Sequence, residues 1–96
     1  MESLMANAQN LQTKIAAAQE SLANMHVKGI AGNGDVVVDM TGKYDLVSVT
    51  IRPDVLSRAA KIVSELVADA YRDAKTKADV LIDEVMTSVS GGFSLN

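Results

Sequence analysis

The chain has 96 residues, a formal net charge of −3, no cysteine and only 3% aromatic residues within a 48% apolar composition. This length predicts one small domain with a thin core, and the lack of cysteine excludes a disulfide framework and a thiolate zinc site. No apolar run approaches the roughly 20 residues that span a membrane, and the start has no signal-peptide pattern. We therefore expect a cytoplasmic protein, and the negative charge argues mildly against a nucleic-acid partner held by bulk charge.

The first predicted element is a helix over residues 4–25. Its apolar residues recur at alternating steps of four and three, at Leu4, Ala8, Leu11, Ile15, Ala18, Leu22 and Met25. This is a heptad pattern that no Gly or Pro interrupts. Because the apolar seam is narrow and rich in alanine, it favours close packing on another helix.

A glycine-rich stretch follows, VKGIAGNGDVVVDMTG at residues 27–42, with Gly29, Gly32 and Gly34 within six residues. A phosphate-binding glycine loop leads directly into a helix N-terminus. Here the glycines lead into DVVVDM, whose β-branched residues indicate a strand, and Asn33-Gly34 is typical of a two-residue hairpin turn. The pattern favours a hairpin over a phosphate cradle.

Three antiparallel strands are predicted, over residues 25–31, 35–41 and 45–52, and Pro53 ends the third because it cannot donate to the ladder. Alternation gives each strand one apolar face, as a sheet covered on one side requires. The residues predicted on the apolar faces of the second and third strands are Val36, Val38, Met40, Val47, Val49 and Ile51. Leu46 is predicted on the opposite face of the third strand.

The remainder is predicted as one long helix over residues 57–89, ended by Gly91-Gly92. Such a helix is roughly 45–50 Å long, whereas a compact chain of this size has a radius of gyration of about 12–13 Å. The helix must therefore project beyond the sheet. Its outer turns carry Leu81, Ile82 and Val85, which the first helix covers on one side only. We expect an α+β fold of helix, three-stranded meander and long helix that forms an obligate homodimer.

Four segments stand in order along the chain: MANAQNLQ at 5–12, the glycine-rich stretch at 27–42, VTIRP at 49–53 and ELVADAYRDA at 65–74. Together they closely resemble the YbaB/EbfC family of bacterial nucleoid-associated proteins, over nearly the whole of a single domain spanning residues 1–96. The resemblance implies a tweezer-shaped homodimer that binds duplex DNA with little sequence preference. It also implies a location in the nucleoid and no catalysis.

The resemblance supplies no DNA-contacting residues, so the contacts are predicted from charge. The predicted basic patch consists of Arg58, Lys61, Arg72, Lys75 and Lys77. The first four fall within about a third of the circumference of the long helix, opposite its apolar stripe. Residues 58–77 hold five basic against three acidic side chains. The alternative is a solvated face with ion pairs at i,i+3 and i,i+4 spacing, such as Arg72 with Asp69.

Patterns for catalysis or metal binding are weak. The single histidine, His26, lies at a helix-to-strand junction, where a lone imidazole is usually a surface residue. The aspartates are spread over turns and strands, so no paired carboxylates follow from their spacing, and no Ser-His-Asp, HExxH or EF-hand pattern occurs. We predict no catalytic activity, no metal, no cofactor, no small-molecule substrate and no membrane partner.

Two functions remain open from the sequence. The first is a non-enzymatic homodimer that binds duplex DNA, which rests on the family resemblance more than on charge. The second is a protein-interaction or assembly module without direct DNA binding. The acidic charge balance and the exposed apolar ends of the helices support this second hypothesis.

Overall fold

The structure, a computed structural model, describes the backbone of residues 2–91 and the side chains of residues 9–89. Its elements are α1 (Glu2–Asn24), β1 (His26–Ala31), a 3₁₀ turn (Gly32–Gly34), β2 (Val36–Thr41), β3 (Leu46–Ile51), a second 3₁₀ turn (Pro53–Ser57) and α2 (Ala60–Gly91). The predicted α+β fold, with its helix, three-stranded antiparallel meander and long C-terminal helix, is confirmed.

The core lies between α2 and one face of the sheet. The strands pair antiparallel in the order β1-β2-β3, and α2 packs across β1 and β2. Val36, Val38 and Met40 are fully buried, as predicted from their alternation. They pack against a stripe of small residues on α2, Ala70, Ala74 and Ala78, which are also fully buried.

The pairing of β3 corrects one part of the predicted alternation. Asp39 lies opposite Ser48, but the next residue, Met40, lies opposite Leu46. Val47 is therefore an extra residue in β3, which is the geometry of a β-bulge. Residues directly opposite each other share a face of the sheet, so Leu46 lies on the face of Met40. The face predicted for Leu46 was therefore wrong.

The glycine-rich stretch is a turn between β1 and β2, which confirms the hairpin interpretation. The turn is longer than predicted, because Ala31 pairs with Val36 and leaves four residues between the strands. Gly32, Asn33 and Gly34 have φ angles of 61°, 59° and 98°. Three successive residues in the left-handed region explain the two glycines, since only Gly and Asn adopt it at small cost.

The long helix begins three residues later than predicted. Pro53 opens a 3₁₀ turn, and the Ser57 hydroxyl donates a hydrogen bond to the Asp54 carbonyl at 2.7 Å, which closes that turn. Arg58 has an extended backbone, with φ −80° and ψ 165°. The chain therefore changes direction at residues 53–59, and α2 starts at Ala60.

The chain is elongated, as the length of α2 requires. Its principal extents are 66 × 24 × 16 Å and its radius of gyration is 18.6 Å, against about 12–13 Å for a compact chain of this size. α1 packs against α2, and Gln19 and Leu22 of α1 lie beside Ile82 and Met86 of α2. Leu81, Ile82 and Val85 are already partly buried within one chain. Part of their surface remains exposed, so the expectation that they contact a second subunit stays a prediction.

The closest approach of α2 to the sheet generates the first prediction. A Cβ atom built on Gly29 lies 1.9 Å from the Ala70 carbonyl oxygen and 2.4 Å from the Ala74 backbone nitrogen. Because backbone atoms cannot move aside, we expect Gly29→Ala to lower the free energy of unfolding by about 3 kcal/mol. Urea unfolding followed by circular dichroism measures this change.

The control for this prediction is Gly34→Ala. A Cβ there meets only the Arg52 guanidinium, at 3.4 Å, although its φ of 98° is unfavourable. We expect this variant to lose only about 1–2 kcal/mol. A Gly29→Ala variant as stable as the wild type would contradict the close packing of α2 on β1.

Candidate nucleic-acid interface

The structure divides the predicted basic patch into separate groups. Arg58 precedes α2, and its Nη1 donates to the Asp35 carboxylate at 3.0 Å. Lys77 lies near β1, where its Nζ donates to the Lys28 carbonyl oxygen at 2.7 Å and is 3.0 Å from the Asp73 carboxylate. The prediction that Arg58 shares a helix face with the other basic residues was therefore wrong. Helical periodicity could not reveal this, because Arg58 lies outside the helix.

The other three predicted residues, Lys61, Arg72 and Lys75, do share one exposed face of α2. Arg72 is eleven positions after Lys61, and Lys75 is three positions after Arg72. At 3.6 residues per turn this places all three within about 60° of each other around the helix axis. We call them the α2 basic stripe. Arg72 pairs with Asp69 at 3.0 Å, with both side chains mostly exposed. Such a surface pair contributes little and is readily exchanged for another anion.

Lys61 and Lys75 make no ion pair with any residue that the structure describes. Both side chains are exposed. The α2 basic stripe therefore presents two ammonium groups without an ion-pair partner and one loosely paired guanidinium to solvent.

Beyond the stripe, Asp79 accepts a hydrogen bond from the Tyr44 hydroxyl, and this contact raises the pKa of Tyr44.

Asp73 and Lys77 close the outer edge of β1. The Ile30 backbone N–H donates to the Asp73 carboxylate at 2.9 Å, and Lys77 binds the Lys28 carbonyl oxygen. These are the backbone groups that a free edge strand leaves unpaired. The Ile30 N–H, and after it the Lys77 ammonium, hold the pKa of Asp73 below its ordinary value. We call this pair of contacts the edge clamp.

An open groove lies at the opposite edge of the sheet, between β3 and α2. It has a volume of about 560 Å³ and mostly apolar walls. Val38, Leu46 and Val49 form its floor, and Val67 and Tyr71 form its side. Arg72 and Lys75 of the α2 basic stripe also line it. Every β3 residue except Ile51 is exposed, so α2 leaves this strand uncovered.

Asp35 is the one carboxylate that the fold buries among the described side chains, and two arginines bind it. Arg58 contacts one carboxylate oxygen at 3.0 Å, and Arg52 contacts the other at 3.3 Å. Arg52 was missed from the sequence. The available signal was the hairpin register, because pairing Val36 with Ile51 makes the preceding and following residues, Asp35 and Arg52, neighbours.

Metal binding and membrane insertion find no support in residues 2–91. Among the residues described, no three His, Asp or Glu side chains group as metal ligands do. His26 lies 2.8 Å from Asp39 across the exposed face of the sheet, as an isolated pair. Over the same part of the chain, no helix combines the length and apolar character that crossing a bilayer demands.

The model of the YbaB/EbfC DNA-binding family matches residues 1–93. The chain belongs to this family. A nucleoid-associated protein of Bradyrhizobium diazoefficiens is 38% identical over 93 residues, which cover 96% of this chain and 88% of that protein. One of Gluconobacter oxydans is 40% identical over 93 residues, with 96% and 87% covered. These findings confirm the resemblance predicted from four sequence segments.

The YbaB/EbfC fold is also found in a solved structure. An uncharacterized protein of Helicobacter pylori superimposes with a TM-score of 0.69 at 15% identity, over 82% of this chain and 93% of that one. At this identity the likeness concerns the fold alone. Within this YbaB/EbfC chain, the DNA contacts of Arg58, Lys61, Arg72, Lys75 and Lys77 stay a prediction.

The edge clamp generates a prediction on pH dependence. We expect Asp73→Asn to lower the free energy of unfolding at pH 7 by about 1 kcal/mol, since it removes a charge-assisted hydrogen bond that is partly exposed. The folded-state pKa lies below the ordinary value of 3.8. The contribution is therefore present above pH 3.8 and disappears as the pH falls through the folded-state pKa.

The difference in stability between the wild type and Asp73→Asn should accordingly shrink below pH 3.8. Urea unfolding at a series of pH values measures it. Asp69→Asn is the matched control, because its carboxylate makes only the exposed pair with Arg72, and we expect it to change stability by less than about 0.5 kcal/mol. Equal losses in the two variants would argue against the edge clamp.

Proposed function

We propose that this chain is a non-enzymatic, nucleoid-associated protein of bacteria that binds duplex DNA as a homodimer with little sequence preference. The observation that carries the proposal is the match of the DNA-binding family over residues 1–93. The names of its relatives in Bradyrhizobium and Gluconobacter support a nucleoid location in the cytoplasm. The proposal assigns the chain no catalytic step, cofactor or small-molecule substrate.

The charge distribution supports binding to the phosphate backbone. Each chain carries −3, so a dimer carries twice that, −6, and attraction must come from a local surface. The α2 basic stripe is such a surface, because its three side chains are exposed on one face and at most weakly paired. Lysine and arginine on a solvated helix contact phosphates, which are the same at every base pair. Little sequence preference follows.

The exposed apolar residues support a homodimer formed through β3. Those that line the open groove are Leu46, Val49 and Tyr71. The edge clamp occupies the β1 edge, whereas no side chain of the described residues hydrogen-bonds to β3. We therefore expect a second copy to add to the sheet at β3. A two-fold contact between β3 edges uses up the free edge of both copies, so association ends at two chains.

A second candidate function is a protein-interaction module without DNA binding. The groove between β3 and α2 favours it, because apolar residues there are open to a partner other than a second copy. The two candidates differ in one measurable property. Only the first requires the chain to shift random-sequence duplex DNA at low salt.

The homodimer is tested by placing a charge on β3. Val49 lines the groove, so Val49→Glu replaces an apolar contact of the proposed interface with a carboxylate that must lose its hydration, which weakens association. We expect the wild type to sediment as a dimer at micromolar concentration and this variant as a folded monomer. Thr50→Glu is the matched control, because Thr50 lies on the opposite face of the sheet, and it should remain dimeric. A monomeric wild type would refute the proposal.

DNA binding is tested by reversing charges on the α2 basic stripe. We expect Lys61→Glu/Arg72→Glu to bind random-sequence and A/T-rich duplexes equally weakly, because the reversal removes attraction to phosphates, which every duplex presents alike. Fluorescence anisotropy across a salt series measures this. The slope of log affinity against log salt concentration should become less steep. Its magnitude should fall by about 0.9 for each phosphate that the wild type neutralises and the variant does not.

The matched control for that measurement is Lys28→Glu/Lys43→Glu, which reverses two exposed charges away from the stripe. Equal weakening in both double variants would mean that bulk charge, and not the stripe, determines binding. If the wild type does not bind duplex DNA at low salt, the protein-interaction module is the remaining candidate.

A further inference from the structure

Two guanidinium groups meet at one buried carboxylate at the end of the sheet where β3 leads to α2. The Asp35 side chain is 10% exposed, whereas those of Arg52 and Arg58 are 50% and 41% exposed. Each arginine contacts a different carboxylate oxygen. We call these three side chains the cluster. They come from the first turn, the end of β3 and the segment before α2.

The cluster holds more positive charge than the fold needs. One arginine neutralises a buried carboxylate, and the second leaves the cluster with a net charge of +1. A guanidinium has five N–H donors, and only one hydrogen bond to Asp35 is formed, by Arg58. Most donors of both groups therefore face solvent on half-exposed side chains. Their planar, forked arrangement matches the oxygens of a phosphate.

The turn that carries Asp35 is shaped around this cluster. A Cβ on Gly32 would lie 2.7 Å from the Asp35 carboxylate, and one on Gly34 would lie 3.4 Å from the Arg52 guanidinium. The Arg52 backbone N–H also donates to the Asp35 carbonyl oxygen at 2.9 Å. Gly32 thus leaves room for the carboxylate, whereas a Cβ on Gly34 would make only an ordinary contact with Arg52. The two guanidinium groups are held in place before any ligand arrives, which lowers the entropic cost of binding.

We propose that Arg52 and Arg58, positioned by Asp35, form a phosphate-binding site that contacts the backbone of duplex DNA. This inference rests on the proposed DNA-binding function for the identity of the ligand. Lys61 lies in the first turn of α2, three residues after Arg58, so the site continues into the α2 basic stripe. The exposed acidic residue nearest in sequence is Asp54. The proposed DNA-binding surface therefore gains Arg52, which the sequence did not indicate. It also includes Arg58, whose guanidinium is positioned by Asp35.

The direct test follows the Arg Nε–Hε signals of the unmodified protein by NMR while a random-sequence duplex is added. We expect the Arg52 and Arg58 signals to shift and to saturate with the same affinity that anisotropy reports. Unmoved signals in a protein that does bind the duplex overturn this inference and leave the proposed function intact. A wild type that binds no duplex at low salt overturns both.

A pair of variants separates a binding role from a bracing role. Arg52→Gln/Arg58→Gln and the control Lys28→Gln/Lys43→Gln each remove two positive charges. We expect at least tenfold weaker DNA binding in the arginine variant than in the control. The slope of its log affinity against log salt concentration should also be smaller in magnitude, by about 0.9 for each phosphate that the two arginines neutralise in the wild type. Equal affinities and slopes in the two variants, both folded by circular dichroism, would overturn the site.

A second matched pair keeps both arginines and tests how they are positioned. Asp35→Asn and Asp54→Asn change the net charge equally. Bulk attraction predicts that both tighten DNA binding by the same factor. If Asp35 positions the guanidinium groups, Asp54→Asn tightens binding and Asp35→Asn does not. Equal tightening in both variants would show that positioning by Asp35 has no part in binding.

Discussion

The close approach of α2 to the sheet is the constraint on which the rest of the structure depends. Gly29 has no side chain, and Ala70, Ala74 and Ala78 each present only a methyl group, so the helix backbone lies almost against β1. From that distance the Asp73 carboxylate reaches the Ile30 N–H. With larger residues in the stripe, the helix would stand further from the sheet and the edge clamp could not form.

The same approach determines what remains uncovered. A helix with its side chains is about 10–12 Å wide, and neighbouring strands are about 4.8 Å apart. One helix therefore covers two strands of a three-stranded sheet. Because α2 is drawn to β1 and β2, the exposed strand is β3, and the groove follows from this offset. The surface through which we propose a homodimer is thus a result of how the core packs.

The sequence predicted what depends on local periodicity and missed what depends on pairing. Alternation placed Val36, Val38 and Met40 in the core, because their burial requires only a period of two. It failed at Leu46, since the bulge arises from the register with β2. Spacing grouped Lys61, Arg72 and Lys75 correctly on one face. It could not show that Arg58 is bound to a carboxylate 23 residues away, or that Lys77 binds the Lys28 carbonyl oxygen, 49 residues away.

The extended shape of the chain affects how its mass is read in solution. A body measuring 66 × 24 × 16 Å meets more friction than a sphere of equal volume, so it diffuses slowly for its weight. Gel filtration calibrated with globular standards would therefore overestimate the mass of a monomer or a dimer of this chain. Elution volume alone therefore confuses elongation with association in this protein. Sedimentation equilibrium and light scattering, which depend on mass and not on shape, separate the two.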